Sequence, residues 1–390
     1  MKKALFITTR NVLTTSGELR LIKNRALALS NFFGVETDFL VIRFKKNLST
    51  YEEGVLNILK VYWITIFGML GLYIRLRKDI KKLLENDEYT TIILSGIGTL
   101  HLVRYLKKIK YKGKITLDVH GSNKDILEHS RNKNFFKKLL LRFIYIFEEI
   151  YYKRKLVYVD NFLVVSSALQ NLLINRYKIA HNSLFFVVPC AIDLETVDTS
   201  LITKNRKQSR LKYGVNDNDI LFVYSGGVSS WQCIKETVDI FYQIKRNLTF
   251  PIKMIMLSHN ISKLKEIAGN YDDIIYDSLN HSEVFEVLCS ADYAFLIRDN
   301  IETNHVAFPN KFLEYISAGL KVITTPHLHD ISKIVAQEQL GYIVDHRNIN
   351  IELLIAYVLN TYRNNDLANH QKLLTETSFK NTLLEFSRFI

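Results

Sequence analysis

The residues best suited to chemistry lie at positions 306–325, VAFPNKFLEYISAGLKVITT. Pro309 can begin a helix whose first turns carry Lys311 and Glu314, and Gly319 can end it before an apolar strand. Backbone N–H groups at such a helix start can hold phosphate, and Lys311 adds a full positive charge. Glu314 can accept hydrogen bonds from a sugar hydroxyl. The pattern predicts an anion site, although a capped surface helix is the commoner explanation of it.

His120 is a second candidate for contact with a ligand. It follows the apolar run 115–119 and precedes Gly121 and Ser122, which places it at the end of an expected strand. Ligands of open parallel sheets bind beyond the carboxyl ends of the strands. A lone histidine is more often structural, so its place at a strand end is what favours a function here.

Other patterns do not support a chemical role. Residues 217–219 spell DND, a DxD metal-binding triplet, but they precede an expected strand and fit a polar turn better. His327 and His329, beside Asp330, follow a proline and fit a loop and a helix cap. The chain has no GxGxxG, GxxxxGK[ST] or GxSxG pattern, which excludes the simplest dehydrogenases, NTPases and hydrolases. We expect neither a metal nor a cofactor.

Short apolar runs alternate with helix-period segments along the whole chain. These runs lack polar alternation, which is typical of strands buried on both faces of a parallel sheet. The predicted strands are residues 4–9, 37–42, 91–94, 115–119, 162–165, 185–188, 220–224, 252–257, 293–297, 321–324 and 342–344. Repeated units of this kind predict an α/β fold with doubly wound parallel sheets.

A polar stretch between two apolar strands indicates two Rossmann-like domains that face a cleft. We predict an N-terminal domain at 1–193 and a linker at 194–218. A C-terminal domain follows at 219–365. Residues 366–390 are expected to form a helix that packs back towards the N-terminal domain. Two sheets that face each other can share a ligand site.

Positive charge is concentrated in the N-terminal half. The chain holds 52 Lys or Arg and 39 Asp or Glu, a net charge of +13. Residues 1–200 hold 32 basic and 18 acidic residues, whereas residues 201–390 hold 20 and 21. This asymmetry favours an anionic partner, such as nucleic acid, anionic lipid or a phosphorylated substrate, over a basic face kept for solubility.

Two segments could meet a membrane surface. Residues 61–74, VYWITIFGMLGLYI, are too few for a spanning helix, which needs about 20, and we interpret them as a core helix. Residues 135–155, FFKKLLLRFIYIFEEIYYKRK, combine aromatic and basic side chains, which favours a helix lying on a membrane. Three scattered cysteines and the absence of a secretory signal favour a cytoplasmic protein. We expect it to be peripheral on the inner face of the cell membrane.

The run PNKFLEYISAGLKVITT closely resembles the signature of glycosyltransferase family 4 enzymes of the GT-B fold, especially those that make bacterial capsule or O-antigen polysaccharides. Further similar segments follow in the family's order: DVHG at 118–121, VVS at 164–166, VPCAID at 188–193 and YSGG at 224–227. The resemblance extends over residues 115–345. The first 110 residues share only the alternation of strands and helices.

The resemblance implies that the N-terminal domain faces the acceptor and the membrane and that the C-terminal domain binds the nucleotide-sugar. It also implies a role for each candidate residue. The nucleotide-sugar side comprises Gly226, Gly227, Arg298, Asn310, Lys311 and Glu314. The acceptor or sugar side comprises Gly17, Asp118 and His120. Lys311, Arg298 and the backbone N–H groups of the YSGG loop would neutralise the leaving diphosphate, while Glu314 would hold the ribose. His120 would reach the donor sugar, and the implied catalytic residues are His120, Arg298 and Lys311.

The chain departs from the family's pattern at three places. Many members carry a first glutamate eight residues before the second, where this chain has Val306; Asp299 and Glu302 are the nearest upstream carboxylates. The loop after Gly227 reads VSSWQ and lacks the Arg and Lys of many members. Arg298 and Lys311 would therefore neutralise more of the diphosphate charge. The N-terminal glycine-rich loop is reduced to Gly17.

The sequence thus predicts a retaining glycosyltransferase that acts in surface polysaccharide synthesis. Its partners would be a nucleotide-diphospho-sugar donor, a lipid-linked saccharide acceptor and an anionic membrane surface. A nucleotide-sugar epimerase of the same fold is the alternative, and a noncatalytic polyanion-binding protein is a second one. We expect no nucleic-acid partner, because no aromatic-basic platform or recognition helix is evident.

Overall fold

The computed structural model describes residues 2–9, 17–43, 56–63, 69–86, 88–128, 130, 134–179, 182–191, 198–362 and 366–390. The chain divides into two compact units. Unit 1 comprises Met1–Ala191 and Phe379–Ile390, and unit 2 comprises Ile192–Ser378. Each unit contains a sheet whose described strands all pair in parallel.

The described residues of unit 1 form a seven-stranded sheet of order β3-β2-β1-β4-β5-β6-β7. Its strands are β1 Lys3–Thr8, β2 Glu36–Arg43, β3 Asn57–Trp63, β4 Thr91–Ser95, β5 Lys114–Val119, β6 Asn161–Val164 and β7 Leu184–Val187. The helices between them are α1 Gly17–Phe33, α2 Met69–Asn86, α3 His101–Lys108, α4 Asp125–Glu128, α5 Phe135–Lys155 and α6 Ser167–Tyr177. The central strands are buried Ile, Leu, Val and Phe runs, which is why they pair inside the sheet.

The described residues of unit 2 form a six-stranded sheet of order β10-β9-β8-β11-β12-β13. Its strands are β8 Ile220–Ser225, β9 Ile252–Leu257, β10 Ile274–Asp277, β11 Tyr293–Leu296, β12 Lys321–Thr324 and β13 Gly341–Ile343. Its helices are α7 Thr199–Lys212, α8 Ile234–Asn247, α9 Ile261–Ala268, α10 His281–Leu288, α11 Glu302–His305, α12 Asn310–Ser317, α13 His329–Gln337, α14 Ile351–Thr361 and α15 Ala368–Thr377. The strand order reverses between β8 and β11, and such a switch point is where open parallel sheets bind ligands.

The end of the chain returns to unit 1. Helices α16 Phe379–Thr382 and α17 Leu384–Phe389 contact α1. The ring of Phe186 lies 5.3 Å from that of Phe386, and Lys2 donates a hydrogen bond to the Ser387 carbonyl. Within the predicted C-terminal segment 366–390, α15 belongs to unit 2 and the last two helices to unit 1.

The α/β fold with two doubly wound parallel sheets is confirmed. All eleven predicted strands coincide with observed ones, and the structure adds β3 and β10 within its described ranges. Both added strands lie at a sheet edge, where one side of the strand stays exposed and a polar residue such as Lys60 interrupts the apolar run. The interpretation of residues 61–74 as one core helix is wrong: β3 ends at Trp63 and α2 begins at Met69, with 64–68 outside the described residues.

The stretch interpreted as a linker, 194–218, contains helix α7 of unit 2. The helix is polar because its arginines bind the rest of the unit. Arg206 and Arg210 each form an ion pair with Asp292, at 2.6 and 2.9 Å, and Arg210 is buried. A helix that is held by buried charges has no apolar stripe, so its sequence resembles that of a solvated linker.

Candidate functional site

The switch point of unit 2 brings together three residues that the sequence analysis selected. Gly226 directly follows β8, Arg298 follows β11 by two residues, and Lys311 is the second residue of α12. Strands β8 and β11 are neighbours in the sheet, so their carboxyl ends meet. We call Gly226, Arg298 and Lys311 the cation site.

The Lys311 amine occupies the space that a side chain at position 226 would need. A Cβ atom added to Gly226 would lie 1.7 Å from Lys311 Nζ. The amine also donates a hydrogen bond to Gln232 Oε1 at 3.3 Å and lies 5.5 Å from the centre of the Tyr224 ring. A side chain at 226 would therefore displace the lysine amine from this position.

Arg298 is a buried cation, only 3% exposed. Its side chain donates to the Ile297 carbonyl at 2.8 Å, and its backbone is fixed by two hydrogen bonds with the Thr325 hydroxyl. Within the described part of the chain, no carboxylate forms an ion pair with Arg298. A buried charge without a counterion is costly, so this position favours an anionic ligand.

The positive charge of Arg298 weakens the charged state of Lys311. Burial, reinforced by the positive charge of Arg298, lowers the pKa of Lys311 to about 7, and Glu314 opposes the shift. Burial likewise lowers the pKa of Arg298, although an arginine stays charged. An anion bound between them would restore the full charge of Lys311, because an opposite charge favours the protonated amine.

Two tyrosines fix the loop that follows β8. Tyr315, on α12, accepts a hydrogen bond from the Ser225 N–H at 3.0 Å, and Tyr224 donates to the Gly227 carbonyl at 2.6 Å. The resemblance assigned the N–H groups of both glycines to phosphate, but that of Gly226 donates to the Leu257 carbonyl at 2.8 Å. For the N–H of Gly227, the structure shows no acceptor among the residues it describes. Of the two, Gly227 is therefore the one available to a ligand.

Unit 1 holds the other candidate group. Asp118 is fully buried near the end of β5, and its Oδ2 lies 3.0 Å from His120 Nε2. Its Oδ1 forms an ion pair with Arg25 of α1, a residue that is 0% exposed. Although burial opposes ionisation, the positive charges of Arg25 and His120 together hold the pKa of Asp118 below its usual value.

The remaining candidates are placed as follows. Asn310 is the first residue of α12, Glu314 lies one turn beyond Lys311, and Gly17 is the first residue of α1. Residues 10–16 before Gly17, and residues 192 and 193 of the VPCAID segment, lie outside the described residues.

The region of the missing first glutamate has its own charge pair. Val306 is buried, and Glu302 begins α11. Asp299 Oδ1 lies 2.7 Å from a guanidinium nitrogen of Arg347. The Asp299 carboxylate is therefore already charge-compensated by the protein.

Arg25 and Tyr315 were missed by the sequence analysis. Arg25 lies four residues after Leu21 and four before Leu29, on the buried stripe of α1. An arginine at such a position is a detectable signal, because an unpaired charge is not buried. Tyr315 lies inside the FLEY run, where an aromatic residue looks like ordinary core.

Comparisons with known proteins show the fold. No protein-family model and no curated protein matches this sequence. Sucrose-phosphate synthase from Thermosynechococcus elongatus aligns at 12% identity and a TM-score of 0.71, over 100% of this chain and 98% of that chain. A glycosyltransferase from Rickettsia africae aligns at 14% identity and a TM-score of 0.69, over 99% and 98%. The lipopolysaccharide outer core galactosyltransferase WaaB aligns at 13% identity and a TM-score of 0.68, over 99% of both chains. The expected GT-B fold is confirmed.

The cation site predicts a difference between two adjacent glycine variants. In Gly226→Ala the new methyl group must displace the Lys311 amine, whereas in Gly227→Ala the nearest atom is Gln232 Nε2 at 3.9 Å. We expect Gly226→Ala to weaken the binding of nucleotide-diphospho-sugars about 10- to 100-fold, as for a lost hydrogen bond to a charged group. Isothermal titration would measure it, with Gly227→Ala as the matched control. Equal affinities of the two variants would contradict the arrangement.

Binding should also depend on pH through Lys311. Its pKa of about 7 in the free protein means that the amine is charged below pH 7 and neutral above it. The affinity for an uncleaved nucleotide-diphospho-sugar should therefore fall as pH rises through 7, by up to about tenfold per unit. Lys311→Met should bind weakly with a flat profile. A wild-type profile that is equally flat would show that Lys311 does not face the ligand.

Proposed function

We propose that this protein is a glycosyltransferase of the family 4 type, which moves a sugar from a nucleotide-diphospho-sugar to a saccharide acceptor. The observation that supports it most is the cation site, where Arg298 is buried without a carboxylate partner among the described residues and Lys311 lies against the glycine loop. The switch point of a parallel sheet suits a nucleotide, and two adjacent cations suit a diphosphate. The fold that this chain shares with glycosyltransferases supports the same assignment.

The cations would act on the leaving group. In the proposed transfer, the bond between the anomeric carbon and the diphosphate oxygen breaks, and its electron pair stays on the diphosphate. The acceptor oxygen forms the new bond to that carbon, and its proton passes to the leaving diphosphate. Lys311 and Arg298 stabilise the charge that develops on the diphosphate, as preorganised cations in a closed site do. We assign the charge stabilisation to these side chains and propose no metal or cofactor for it.

Further roles follow from the resemblance. We assign Glu314 to the nucleotide ribose, Asn310 and the Gly227 N–H to the donor, and His120 to the donor sugar. Asp118 and Gly17 belong to the acceptor or sugar side. Transfer would retain the anomeric configuration, and the product would enter a surface polysaccharide such as a capsule or an O-antigen.

The activity assay separates the proposed enzyme from its alternative. With donor and a lipid-linked saccharide, Lys311→Ala should lower kcat/KM by about 10²- to 10³-fold, as for removal of one charge-stabilising donor. Glu314→Ala should mainly raise KM. Lys333→Ala, an exposed lysine on α13, is the control and should leave both constants unchanged. Full activity in Lys311→Ala would contradict the site. Interconversion of sugars with donor alone would instead indicate an epimerase.

We propose in addition that helix α5 docks on an anionic membrane, where a lipid-linked acceptor resides. The helix is described in full and none of its 21 residues is buried. Large apolar side chains recur at helical spacing on one face, with Phe136 80% and Phe147 71% exposed. The opposite face binds the protein, since Glu149 accepts hydrogen bonds from Asn123 at 2.6 Å and Tyr177 at 2.8 Å.

Basic residues flank the apolar face of α5 and favour its binding to anionic lipids. Helical spacing places Lys137 and Lys155 on one side of the stripe and Arg142 and Lys153 on the other. Such an arrangement lies in the plane of an interface, and each basic residue near an anionic surface contributes about 1 kcal/mol. Among the residues that the structure describes, no helix is both long and apolar enough to cross a bilayer. We therefore propose a peripheral attachment on the cytoplasmic side.

Vesicle binding tests the docking face. The double variant Phe136→Ser, Phe147→Ser should bind phosphatidylglycerol vesicles about 100-fold more weakly, at about 1.5 kcal/mol or more for each lost phenyl ring. The control is Leu211→Ser, which removes an 85% exposed leucine from α7. Sedimentation with vesicles measures the binding. Undiminished binding by the double variant would contradict the proposal, and so would a dimer in solution that the variant converts to a monomer.

A further inference from the structure

Arg25 is a fully buried cation on the helix that follows the first strand. It lies on the inner stripe of α1 with Leu21, Ala26 and Leu29, all buried. The transfer of a guanidinium into such surroundings costs several kcal/mol unless its donors are matched by acceptors of good geometry. The hydrogen-bond partners of Arg25 therefore indicate the role of this residue.

Its two terminal nitrogens bind two different segments of unit 1. One donates to Asp118 Oδ1, near the end of β5. The other donates to the carbonyl oxygen of Val188, directly after β7. The Val188 N–H is itself bonded to the Val164 carbonyl at 2.7 Å, so this acceptor is held in place. Arg25 thus joins α1 to the carboxyl edge of the sheet, where His120 lies.

The second oxygen of Asp118 faces the imidazole. Asp118 Oδ2 lies 3.0 Å from His120 Nε2. This contact lacks the alignment of a hydrogen bond, but at that distance a carboxylate oxygen repels a ring lone pair and attracts an N–H group. Nε2 is therefore the nitrogen that carries the proton in the neutral ring. The other ring nitrogen, Nδ1, then presents a lone pair. No described residue exchanges a hydrogen bond with Nδ1, which leaves it available to a hydroxyl group.

We propose that Arg25 is a positioning residue: through Asp118 it fixes the orientation and the tautomer of His120, so that Nδ1 is the atom offered to a sugar hydroxyl. The identity of the hydroxyl rests on the proposed function, whereas the tautomer does not. The positive charge of Arg25 is the main influence that keeps Asp118 ionised against its burial. An arginine is needed because one planar fork reaches both acceptors, which a lysine ammonium cannot do with the same geometry.

The tautomer can be measured directly. In the full-length protein labelled with ¹⁵N-histidine, and with His120 assigned through a His120→Gln variant, we expect the Nε2–H tautomer to predominate in the neutral ring. In Asp118→Asn the carboxamide can donate as well as accept, so the Nδ1–H tautomer should gain population. Arg25→Lys should give a mixture. If Arg25→Lys does not fold, the double variant Arg25→Met, Asp118→Asn keeps the site neutral and should likewise gain the Nδ1–H tautomer.

A stability control separates positioning from a purely structural role. Asp38 is a buried carboxylate on β2 of the same sheet, paired with Lys3 at 3.1 Å and bonded to Tyr89. Asp38→Asn should lower the melting temperature but leave the His120 signals unchanged. Unchanged His120 signals in both Arg25→Lys and Asp118→Asn would overturn the proposal.

Kinetics connect the tautomer to function. If the protein is a glycosyltransferase, Arg25→Lys should lower kcat/KM about tenfold and Asp38→Asn should not. Transferase activity that is insensitive to Arg25→Lys, despite an altered tautomer, would overturn the link to the sugar. If no transferase activity is found at all, the proposed function fails and the tautomer measurement still decides the positioning of His120.

Discussion

The candidate site of unit 2 is built around two cations that lie close enough for Arg298 to lower the pKa of Lys311. Arg298 is buried without a carboxylate among the described residues, and burial and Arg298 together lower the pKa of Lys311 to about 7. Neighbouring like charges destabilise the free protein, so the surrounding core must offset that cost. The apolar core that contains Phe222, Phe241 and Phe295 stabilises the unit by burying apolar surface, and this stabilisation offsets the cost. An anionic ligand that binds to the pair removes the repulsion between the two positive charges, which favours its binding.

The arrangement of the chain around these charges follows from the parallel topology. Because β8 and β11 are sequence-distant but adjacent in the sheet, the loops after them are brought side by side without any long excursion of the chain. The Tyr315 hydroxyl accepts a hydrogen bond from the Ser225 N–H, which links the helix that carries Lys311 to the end of β8. A side chain at position 226 would displace the lysine amine, which occupies that volume. The site thus depends on how the sheet and helix α12 pack together.

The sequence was sufficient for the fold class because the buried strands are uninterrupted apolar runs. It failed at β3 and β10, where edge strands need only one buried side, and at residues 61–74, whose uninterrupted apolar character hid a change from strand to helix. Lys311 could be selected because it lies at the start of a predicted helix. Gly226 and Arg298, which follow predicted strands, were implied by the resemblance.

Partners across the fold could not be predicted from the sequence. The bond of Arg25 to Asp118 spans 93 residues, and nothing local specifies it. The same holds for the Gly226 N–H, which is satisfied by Leu257 of the neighbouring strand and is therefore lost to a ligand. Long-range hydrogen bonds decide which backbone groups stay available, and they arise only when the sheet is assembled.

The return of the last twelve residues to unit 1 has a consequence for how the protein is made. Unit 1 consists of two segments, Met1–Ala191 and Phe379–Ile390, and unit 2 is encoded between them. During synthesis on the ribosome, the described strands of unit 1 emerge first but lack the buried side chains Leu383 and Phe386 until the second segment has been synthesised. Unit 2 is continuous in sequence and can complete its core earlier. The half of the protein that is synthesised first is therefore the half that finishes folding last, and a prematurely terminated chain would carry an open apolar surface on unit 1.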